Sequence, residues 1–165
     1  MKTLLITGGS SGIGLATVQL FVEKGWQVFE LSRSGTSSEG VCHIPCDVTD
    51  ECSVQSAIEE VMKHTSVIDV VVSNAGFGIS GAIEFTSSPE AHRQFDVNFF
   101  GAFYLVKHVL PILREQHNLI WRSASFSFTY FYKVGIFQTA ISSPFHPYDV
   151  SIRVKTCRYR NVHYP

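Results

Sequence analysis

The segment Thr7–Gly14, which reads Thr-Gly-Gly-Ser-Ser-Gly-Ile-Gly, limits more than any other what this chain can fold into. It follows the apolar run Leu4–Ile6 and leads directly into a helical pattern. The residues expected on one face of that helix are Ile13, Ala16, Thr17 and Leu20. A buried strand, a glycine turn and a helix in this order bring backbone N–H groups at a helix start against a diphosphate. The segment therefore predicts nucleotide binding.

The three spaced glycines of this segment have separate expected roles. Gly8 allows the tight turn out of the strand, and Gly12 lets the backbone approach the phosphates without a Cβ in the way. Gly14 lets the helix pack closely on the sheet, while Ser10 and Ser11 add hydroxyl donors. The alternative is a glycine-rich turn that binds nothing, and the strand before it and the helix after it argue against that.

The bulk properties narrow the class of protein. A chain of 165 residues is the size of one domain. Its net charge of −1 and its pI near 6.6 argue against nucleic acid or an anionic membrane surface as a partner. The four cysteines include no C-x-x-C pair and the seven histidines show no metal-ligand spacing. We therefore expect neither disulfides nor a metal site.

Two apolar stretches bear on the expected location. The amino-terminal stretch Met1–Ile6 reaches Gly8 before the apolar core of a signal peptide could be completed, which predicts a cytoplasmic protein. The run Val97–Leu113 is interrupted by polar residues and is short for a bilayer span. It is interpreted as a buried or interface helix, with Pro111 bending or ending its last turn.

Local signals predict several element boundaries. Gly25 is expected to end the first helix near Lys24, and Ser88 is expected to cap a later helix. The strand Val67–Val72 is rich in β-branched residues, which predicts a central strand covered on both faces. The other expected strands are Trp26–Leu31, Val41–Ile44 and a fifth beginning in Asn118–Trp121. The helix after the third strand has the expected apolar face Val54, Ala57, Ile58 and Val61.

Three motifs together resemble the short-chain dehydrogenase/reductase family. They are the Gly-x3-Gly-x-Gly spacing after Thr7, the tripeptide Asn74–Gly76, and the segment Asp96–Gly101. The resemblance covers about residues 1–118 and leaves 119–165 divergent, within an expected single dinucleotide-binding domain of residues 1–165. It implies an α/β fold with a Rossmann-like, doubly wound parallel sheet of strand order 3-2-1-4-5 that is incomplete at its carboxyl end.

The resemblance also implies a cofactor site. The expected diphosphate contacts are Gly8, Ser10, Ser11, Gly12, Ile13 and Gly14. Ser32 and Arg33 follow the second strand, and a guanidinium suits a phosphate monoester, so NADP(H) is favoured over NAD; the alternative is that Arg33 is a solvated strand end. Asp47 and Val48 would face the adenine, or Asp47 would simply help to cap the next helix with Thr49 and Asp50. Residues implied near the inner ribose are Asn74, Ala75 and Gly76.

The catalytic residues implied by the family are only partly present. Asn98 would hold a water that relays protons, or would satisfy a freed backbone group as buried Asn residues often do. Ser123 or Ser125 would hold the substrate carbonyl, or would be an ordinary loop serine. The Tyr-x-x-x-Lys motif of the family is absent, because Tyr130 precedes Lys133 by three residues and no other tyrosine has a lysine four residues later.

The resulting expectation is an oxidoreductase that interconverts a small-molecule carbonyl and an alcohol, with very low activity or none. The alternatives are a dinucleotide-binding protein without chemistry, and a product that is truncated or frameshifted after about residue 120. Phe99, Phe100, Phe103 and Tyr104 form an aromatic stripe on the helix around Asn98–Leu113. Because family members commonly dimerise through this helix, a homodimer is expected, although the stripe is also typical of core.

Overall fold

The structure is a computed structural model that describes residues 1–116 and 121–123. Its strands are β1 (Thr3–Thr7), β2 (Gln27–Ser32), β3 (Val41–Pro45), β4 (Val70–Ser73) and β5 (Trp121–Ser123). Its α-helices are α1 (Gly12–Glu23), α2 (Glu51–His64), α3 (Ser88–Phe95) and α4 (Gly101–Glu115). A 3-10 helix covers Ile83–Phe85, and a π-helical turn at Asp96–Phe100 joins α3 to α4.

The five strands form one parallel sheet in the order β3-β2-β1-β4-β5, which confirms the predicted topology. In the register of the central strands, Ile6 pairs with Glu30 of β2 and with Val72 of β4. β5 lies beside β4, where Ser73 pairs with Ser123. Because all strands are parallel, the loops that follow them gather at one edge of the sheet.

Both faces of the sheet are covered by helices. On one face Leu4, Ile6, Val28, Val70 and Val72 pack with Val18 of α1. On the other face Leu5, Phe29 and Val71 pack with residues from two helices, α2 and α4. The buried positions of α2 are Val54, Ala57, Ile58 and Val61, as predicted. Burial on both faces explains why the strands are nearly continuous apolar runs instead of alternating patterns.

The apolar face predicted for α1 is wrong. Ile13 is 77% exposed and Leu20 is 48% exposed, whereas the buried residues of α1 are Gly14 and Val18. Phe21 and Val22 extend that buried stripe against the sheet. The reason is that the first turn of α1 packs closely on the sheet, so a glycine begins the buried face and the stripe continues four residues later.

Other boundary predictions have mixed outcomes. Gly25 has a φ of +75° and follows the cap residue Lys24, as expected for a left-handed helix end. The predicted cap Ser88 is wrong by one residue, because Ser87 accepts from the Glu90 N–H while Glu90 accepts from the Ser87 N–H. This reciprocal pair requires the spacing Ser-x-x-Glu. Pro111 lies inside α4 without ending it.

Strand β4 begins three residues later than the sequence pattern suggests, at Val70 instead of Val67. The predicted fifth strand is present as Trp121–Ser123, and Asn118 lies outside the described residues. Within the described ranges, no helix combines the length and the hydropathy needed to cross a bilayer. Nor do those ranges bring together three or more side chains suited to holding a metal ion.

Candidate functional site

The candidate site lies at the edge of the sheet where β1, β2 and β4 end. β1 leads into the glycine segment Gly8–Ser11, β2 ends at Ser32, and β4 leads into Asn74. The strand pairing aligns Thr7 with Leu31 and with Ser73, so these three loops start side by side. The glycine segment and the tripeptide Asn74–Gly76, which lie far apart in the sequence, are therefore neighbours.

Gly8 and Gly14 lie where a side chain would not fit. Gly8 has a φ of +67°, and a Cβ built on it would lie 2.8 Å from the Ala75 Cα. A Cβ at Gly14 would overlap the Gly8 carbonyl oxygen and come within 2.5 Å of the Asn74 Nδ2. The loop is therefore folded back against the start of α1 and against the end of β4, as the glycine spacing predicts.

Asn74 fixes this arrangement through its side chain and its backbone. Its Nδ2 donates to the Gly8 carbonyl at 2.8 Å and to the Thr7 carbonyl at 3.2 Å. The Thr7 hydroxyl in turn accepts from the backbone N–H groups of Asn74 and Ala75, at 3.1 Å each. Four hydrogen bonds thus join the glycine loop to the end of β4, and Asn74 acts here as a positioning residue of that loop.

Gly12 differs from its neighbours because the space around it is open. It has a φ of +53°, and none of the described residues comes within 4 Å of a Cβ built there. Ser10, Ser11 and Ile13 beside it are exposed, and the Ser11 hydroxyl forms no capping hydrogen bond within the described part of the chain. Since the first N–H groups of a helix have no partner within the helix, the start of α1 presents donors to an anion. This cradle fits a diphosphate.

At the end of β2, the Ser32 hydroxyl already has hydrogen-bond acceptors within the protein, which the sequence does not reveal. Arg33 is exposed, but the Ser32 hydroxyl lies 2.9 Å from the Ser34 carbonyl and 3.2 Å from the Glu30 Oε2. A hydroxyl has one proton to donate, so both acceptors compete for it. The two predicted phosphate ligands therefore differ: the Arg33 side chain extends toward solvent, while the Ser32 hydroxyl already has protein acceptors.

Sequence reasoning missed Glu30. The residue is 2% exposed, and its Oε1 accepts from the Gly9 N–H of the glycine loop at 2.9 Å. Its Oε2 lies 2.7 Å from the His43 Nδ1 on the neighbouring strand. The available signal was a single charged residue inside the apolar strand Val28–Leu31, because a strand covered on both faces rarely contains an acidic residue without a partner.

Asp47 forms a turn with Thr49 at the end of β3. Hydrogen bonds from the Thr49 N–H and hydroxyl lower the pKa of Asp47, and the charges of Arg33 and Arg93 lower it further. The helix cap is Asp50, which accepts from the Cys52 N–H at 3.0 Å. The capping alternative is therefore confirmed for Asp50, and adenine contact by Asp47 stays a prediction. Val48 is buried, and its side chain lies within 2.9 Å of a Cβ built at Gly101.

Asn98 lies in the π-helical turn and is 9% exposed. Its Nδ2 donates to the Phe77 carbonyl at 2.8 Å, and its Oδ1 accepts from the Phe77 N–H at 2.9 Å. The Gln94 amide donates to the same carbonyl at 3.3 Å. The side chain thus satisfies two backbone groups of the loop after β4, the alternative raised from the sequence. Its role with a water stays a prediction.

The structure describes only some of the remaining predicted residues. Ser123 ends β5 and pairs with Ser73, so its backbone lies at the same edge as the glycine loop. Ser125 lies outside the described residues, as do Tyr130 and Lys133. The structure therefore brings together the glycine loop, the end of β2, Asn74–Gly76 and the Ser123 backbone.

Comparison with known proteins supports the same assignment. A sequence profile described as short chain dehydrogenase matches residues 2–119. The chain belongs to the short chain dehydrogenase family. The chain is similar to 3-ketodihydrosphingosine reductase of Bacteroides thetaiotaomicron, with 40% identity over 115 residues. That match covers 69% of this chain and 43% of the reductase.

Two solved structures match the fold. The ligand-free aldohexose dehydrogenase of Thermoplasma acidophilum is 38% identical with a TM-score of 0.64, and the match covers 68% of this chain and 45% of that one. ElxO with NADP bound is 25% identical with a TM-score of 0.69, and the match covers 74% of this chain and 54% of that one. The chain thus spans about half the length of these relatives or less.

Proposed function

We propose that this chain binds a nicotinamide dinucleotide across the carboxyl edge of its sheet, with NADP(H) favoured over NAD. The observation that carries the proposal is the contrast within the glycine segment. Gly8 and Gly14 are packed without room for a side chain, whereas Gly12 is open at the start of a helix. A turn that served only to connect β1 to α1 would have no need of both properties.

In this proposal the diphosphate lies on the start of α1 and the ribose of the nicotinamide half lies near β4. The residues that would hold the diphosphate are Gly8, Ser10, Ser11, Gly12, Ile13 and Gly14. Asp47 and Val48 would face the adenine, and Asn74, Ala75 and Gly76 would lie near the inner ribose. The hydrogen bonds of Asn74 suggest that it acts mainly by holding the loop in shape.

The preference for NADP(H) rests on Arg33. Its guanidinium is exposed beyond the end of β2 and suits a phosphate monoester. The NADP-bound structure of ElxO supports the choice of the same cofactor for this chain. Charge attraction at an exposed arginine is screened by salt, so the preference is expected to weaken as ionic strength rises.

The chemistry proposed is the interconversion of a carbonyl and an alcohol on a small molecule. When bound, the nicotinamide supplies or accepts the hydride. Both the reductase and the aldohexose dehydrogenase to which the chain is similar carry names consistent with this reaction class. Asn98 and Ser123 or Ser125 are the proposed remaining catalytic residues, with Asn98 positioning the loop at Phe77 and a water.

A low reaction rate is part of the proposal, because no tyrosine in the sequence is followed four residues later by a lysine. Loss of a positioned general acid typically lowers the rate about 10² to 10⁴-fold. The second candidate function is a dinucleotide-binding protein without chemistry. A binding function without chemistry is favoured by Asn98, because its amide oxygen and its amide nitrogen are both hydrogen-bonded to the Phe77 backbone. A product frameshifted after about residue 120 is the third candidate, tested by translating the coding DNA in the other frames.

A homodimer in the cytoplasm is the proposed assembly and location. Two aromatic side chains of the predicted dimer helix, Phe100 and Phe103, are 41% and 39% exposed. Both rings lie beside Tyr104, with centroid distances of 6.2 Å from Phe100 and 5.9 Å from Phe103, so they form one apolar surface. Sedimentation of the purified chain, compared with a Phe103→Glu variant, would test whether this surface joins two copies.

The cofactor proposal can be tested by titrating the full chain with NADPH and with NADH and following nucleotide fluorescence. Saturable binding with tighter NADPH binding is expected, and binding of neither nucleotide by a folded chain would refute the proposal. Carbonyl-dependent oxidation of NADPH separates the alternatives. Slow turnover supports an impaired reductase, binding without turnover supports a binding protein, and turnover at the rate of an intact reductase refutes the expected impairment. A thermal melt establishes that the chain is folded.

A further inference from the structure

The Glu30 side chain lies beneath the glycine loop, and all its polar neighbours are hydrogen-bond donors or can be. The Gly9 N–H donates to Oε1 at 2.9 Å, while the Ser32 hydroxyl and the His43 ring contact Oε2 at 3.2 and 2.7 Å. Three donors around one carboxyl group suit a carboxylate that accepts from all of them, with His43 in the tautomer that donates from Nδ1. The structure thus holds a negative charge directly below the loop.

This charge lies beside the residues proposed to accept the 2′-phosphate. Glu30 Oε2 is 3.2 Å from the Ser32 hydroxyl and competes for its only proton. A phosphate held by Ser32 and Arg33 would therefore meet a like charge nearby and a hydroxyl that already has an acceptor. Like charges close to one another disfavour each other more when water is partly excluded.

We propose that Glu30 is a specificity-determining residue that opposes binding of the 2′-phosphate and so brings the affinities for NADPH and NADH closer together. This inference rests on the proposed function. Arg33 attracts the phosphate from the solvent side, and Glu30 opposes it from below. Cofactor choice is then set by the balance of two charges, of which the sequence pattern at the strand end reveals only one.

The Glu30 and His43 side chains are buried and held in place by neighbouring residues. The side chains of His43 and Glu30 are 11% and 3% exposed. Gly35 covers them, because a Cβ built there would lie 2.6 Å from the His43 Nδ1 and 2.8 Å from the Glu30 Oε2. His43 is further held through its backbone N–H, which donates to the Ser37 hydroxyl at 3.0 Å. The pair is therefore closed in by the loop that follows β2.

A Glu30→Gln variant removes the charge while keeping the shape. The Gln oxygen can still accept from the Gly9 N–H, and its amide N–H can donate to a neutral His43 Nδ1. The amide nitrogen cannot accept from Ser32, so only the Ser34 carbonyl would still compete with the phosphate for the hydroxyl proton. We expect the ratio of NADPH to NADH affinity to rise about tenfold, by comparison with the effect of removing a like charge from a shared site.

The test measures dissociation constants of both nucleotides for the full chain, for Glu30→Gln, and for Glu59→Gln as a matched control. Glu59 lies exposed on α2, where it accepts from Gln55, and its loss changes the net charge equally. The control is expected to leave the affinity ratio unchanged. A rise in the ratio only for Glu30→Gln supports the inference, while an unchanged ratio in a folded variant overturns it.

Ser32→Ala in both backgrounds gives a second test that a purely structural role of Glu30 would not satisfy. Because Glu30 competes for the hydroxyl, Ser32→Ala is expected to reduce NADPH affinity more in the Glu30→Gln background than in the native one. Equal effects in both backgrounds would overturn the competition for the hydroxyl. Failure of the proposed function looks different, because the native chain would then bind neither nucleotide and both proposals would fall together.

Discussion

The tightest contact of the candidate site gives a sharp test: replacement of Gly14 by Ala. The added methyl group would overlap the Gly8 carbonyl oxygen and lie 2.5 Å from the Asn74 Nδ2 and 2.9 Å from the Gly8 carbonyl carbon. Two of these three atoms belong to the backbone and cannot rotate away. The glycine loop must therefore move, and the 2.8 Å hydrogen bond from Asn74 to Gly8 is expected to break.

The cost can be estimated from these contacts. Forcing a methyl group into a closely packed site costs about 1–3 kcal/mol. Loss of the hydrogen bond from Asn74 to Gly8 adds about 0.5–1.5 kcal/mol. Ala stabilises a helix interior by about 0.5–1 kcal/mol relative to Gly, which offsets part of the loss. We expect the free energy of unfolding to fall by about 1–3 kcal/mol, together with a loss of nucleotide affinity because the loop has shifted.

Urea unfolding followed by fluorescence measures the stability change, and titration with NADPH measures the effect on the loop. Gly78→Ala is the matched control, because none of the described residues comes within 4 Å of a Cβ built at Gly78 and its φ is not positive. The control is expected to stay within about 0.5 kcal/mol of the native chain. If Gly14→Ala has the same urea midpoint as the native chain and binds NADPH as tightly as the native chain does, the close packing of loop and helix is refuted.

Three further outcomes are expected. Ser87→Ala should lower the free energy of unfolding by about 1 kcal/mol and Ser88→Ala by less than half of that, since only Ser87 caps α3; equal urea midpoints would contradict this. Hydrogen bonds lower the pKa of Asp47 in the folded chain. Ionised Asp47 therefore stabilises the fold above its unfolded pKa near 3.8, and this contribution is lost as pH falls through the pKa of the folded chain. Asp47→Asn should then destabilise most at pH 7, and the difference from the native chain should shrink as pH falls below about 3.8, as acid titration of both chains would show. Burial raises the pKa of Cys46 to about 11, so a thiol reagent at pH 8 should label exposed Cys52 faster than Cys46, as peptide mass mapping would reveal; equal labelling rates of these two residues would contradict the burial of Cys46.

Much of the fold follows from short-range sequence signals. The continuous apolar strands and intervening helices lead to a parallel sheet, and the observed order agrees with that expectation. The left-handed end of α1 at Gly25 and the buried face of α2 were predictable because each depends on a few neighbouring residues. The packing of Gly8 and Gly14 was predictable for the same reason, since their spacing identifies the turn.

What could not be predicted depends on contacts between segments distant in the sequence. The buried face of α1 depends on how closely Gly14 approaches Gly8, and the apolar pattern alone suggested a rotated stripe. The burial of Glu30 depends on His43, a residue of the next strand, and on Gly9 in the loop above. The local sequence pattern shows that a residue is polar, but it does not show which residue of another strand or loop will be its hydrogen-bond partner.

Asn98 shows the same limit at the candidate site. Its place in a helical segment was evident from the sequence, but its bonds to Phe77 connect residues 21 positions apart. The pairing arises because the loop after β4 returns across the π-helical turn. A residue type can thus be recognised from its motif while its contacts are determined by the path of a loop that has no regular pattern.

The π-helical turn at Asp96–Phe100 has a consequence for sequence alignment. α3, this turn and α4 follow one another without a break, and the turn contains one residue more than an α-helical turn would. That residue rotates α4 by about 100° relative to a regular continuation of α3. α3 has no buried residue among those described, whereas α4 buries its face on the sheet. When this chain is aligned with one that has a regular helix here, α3 and α4 should be aligned separately, with a one-residue gap between 96 and 100. An alignment without that gap would assign the buried face of α4 to solvent.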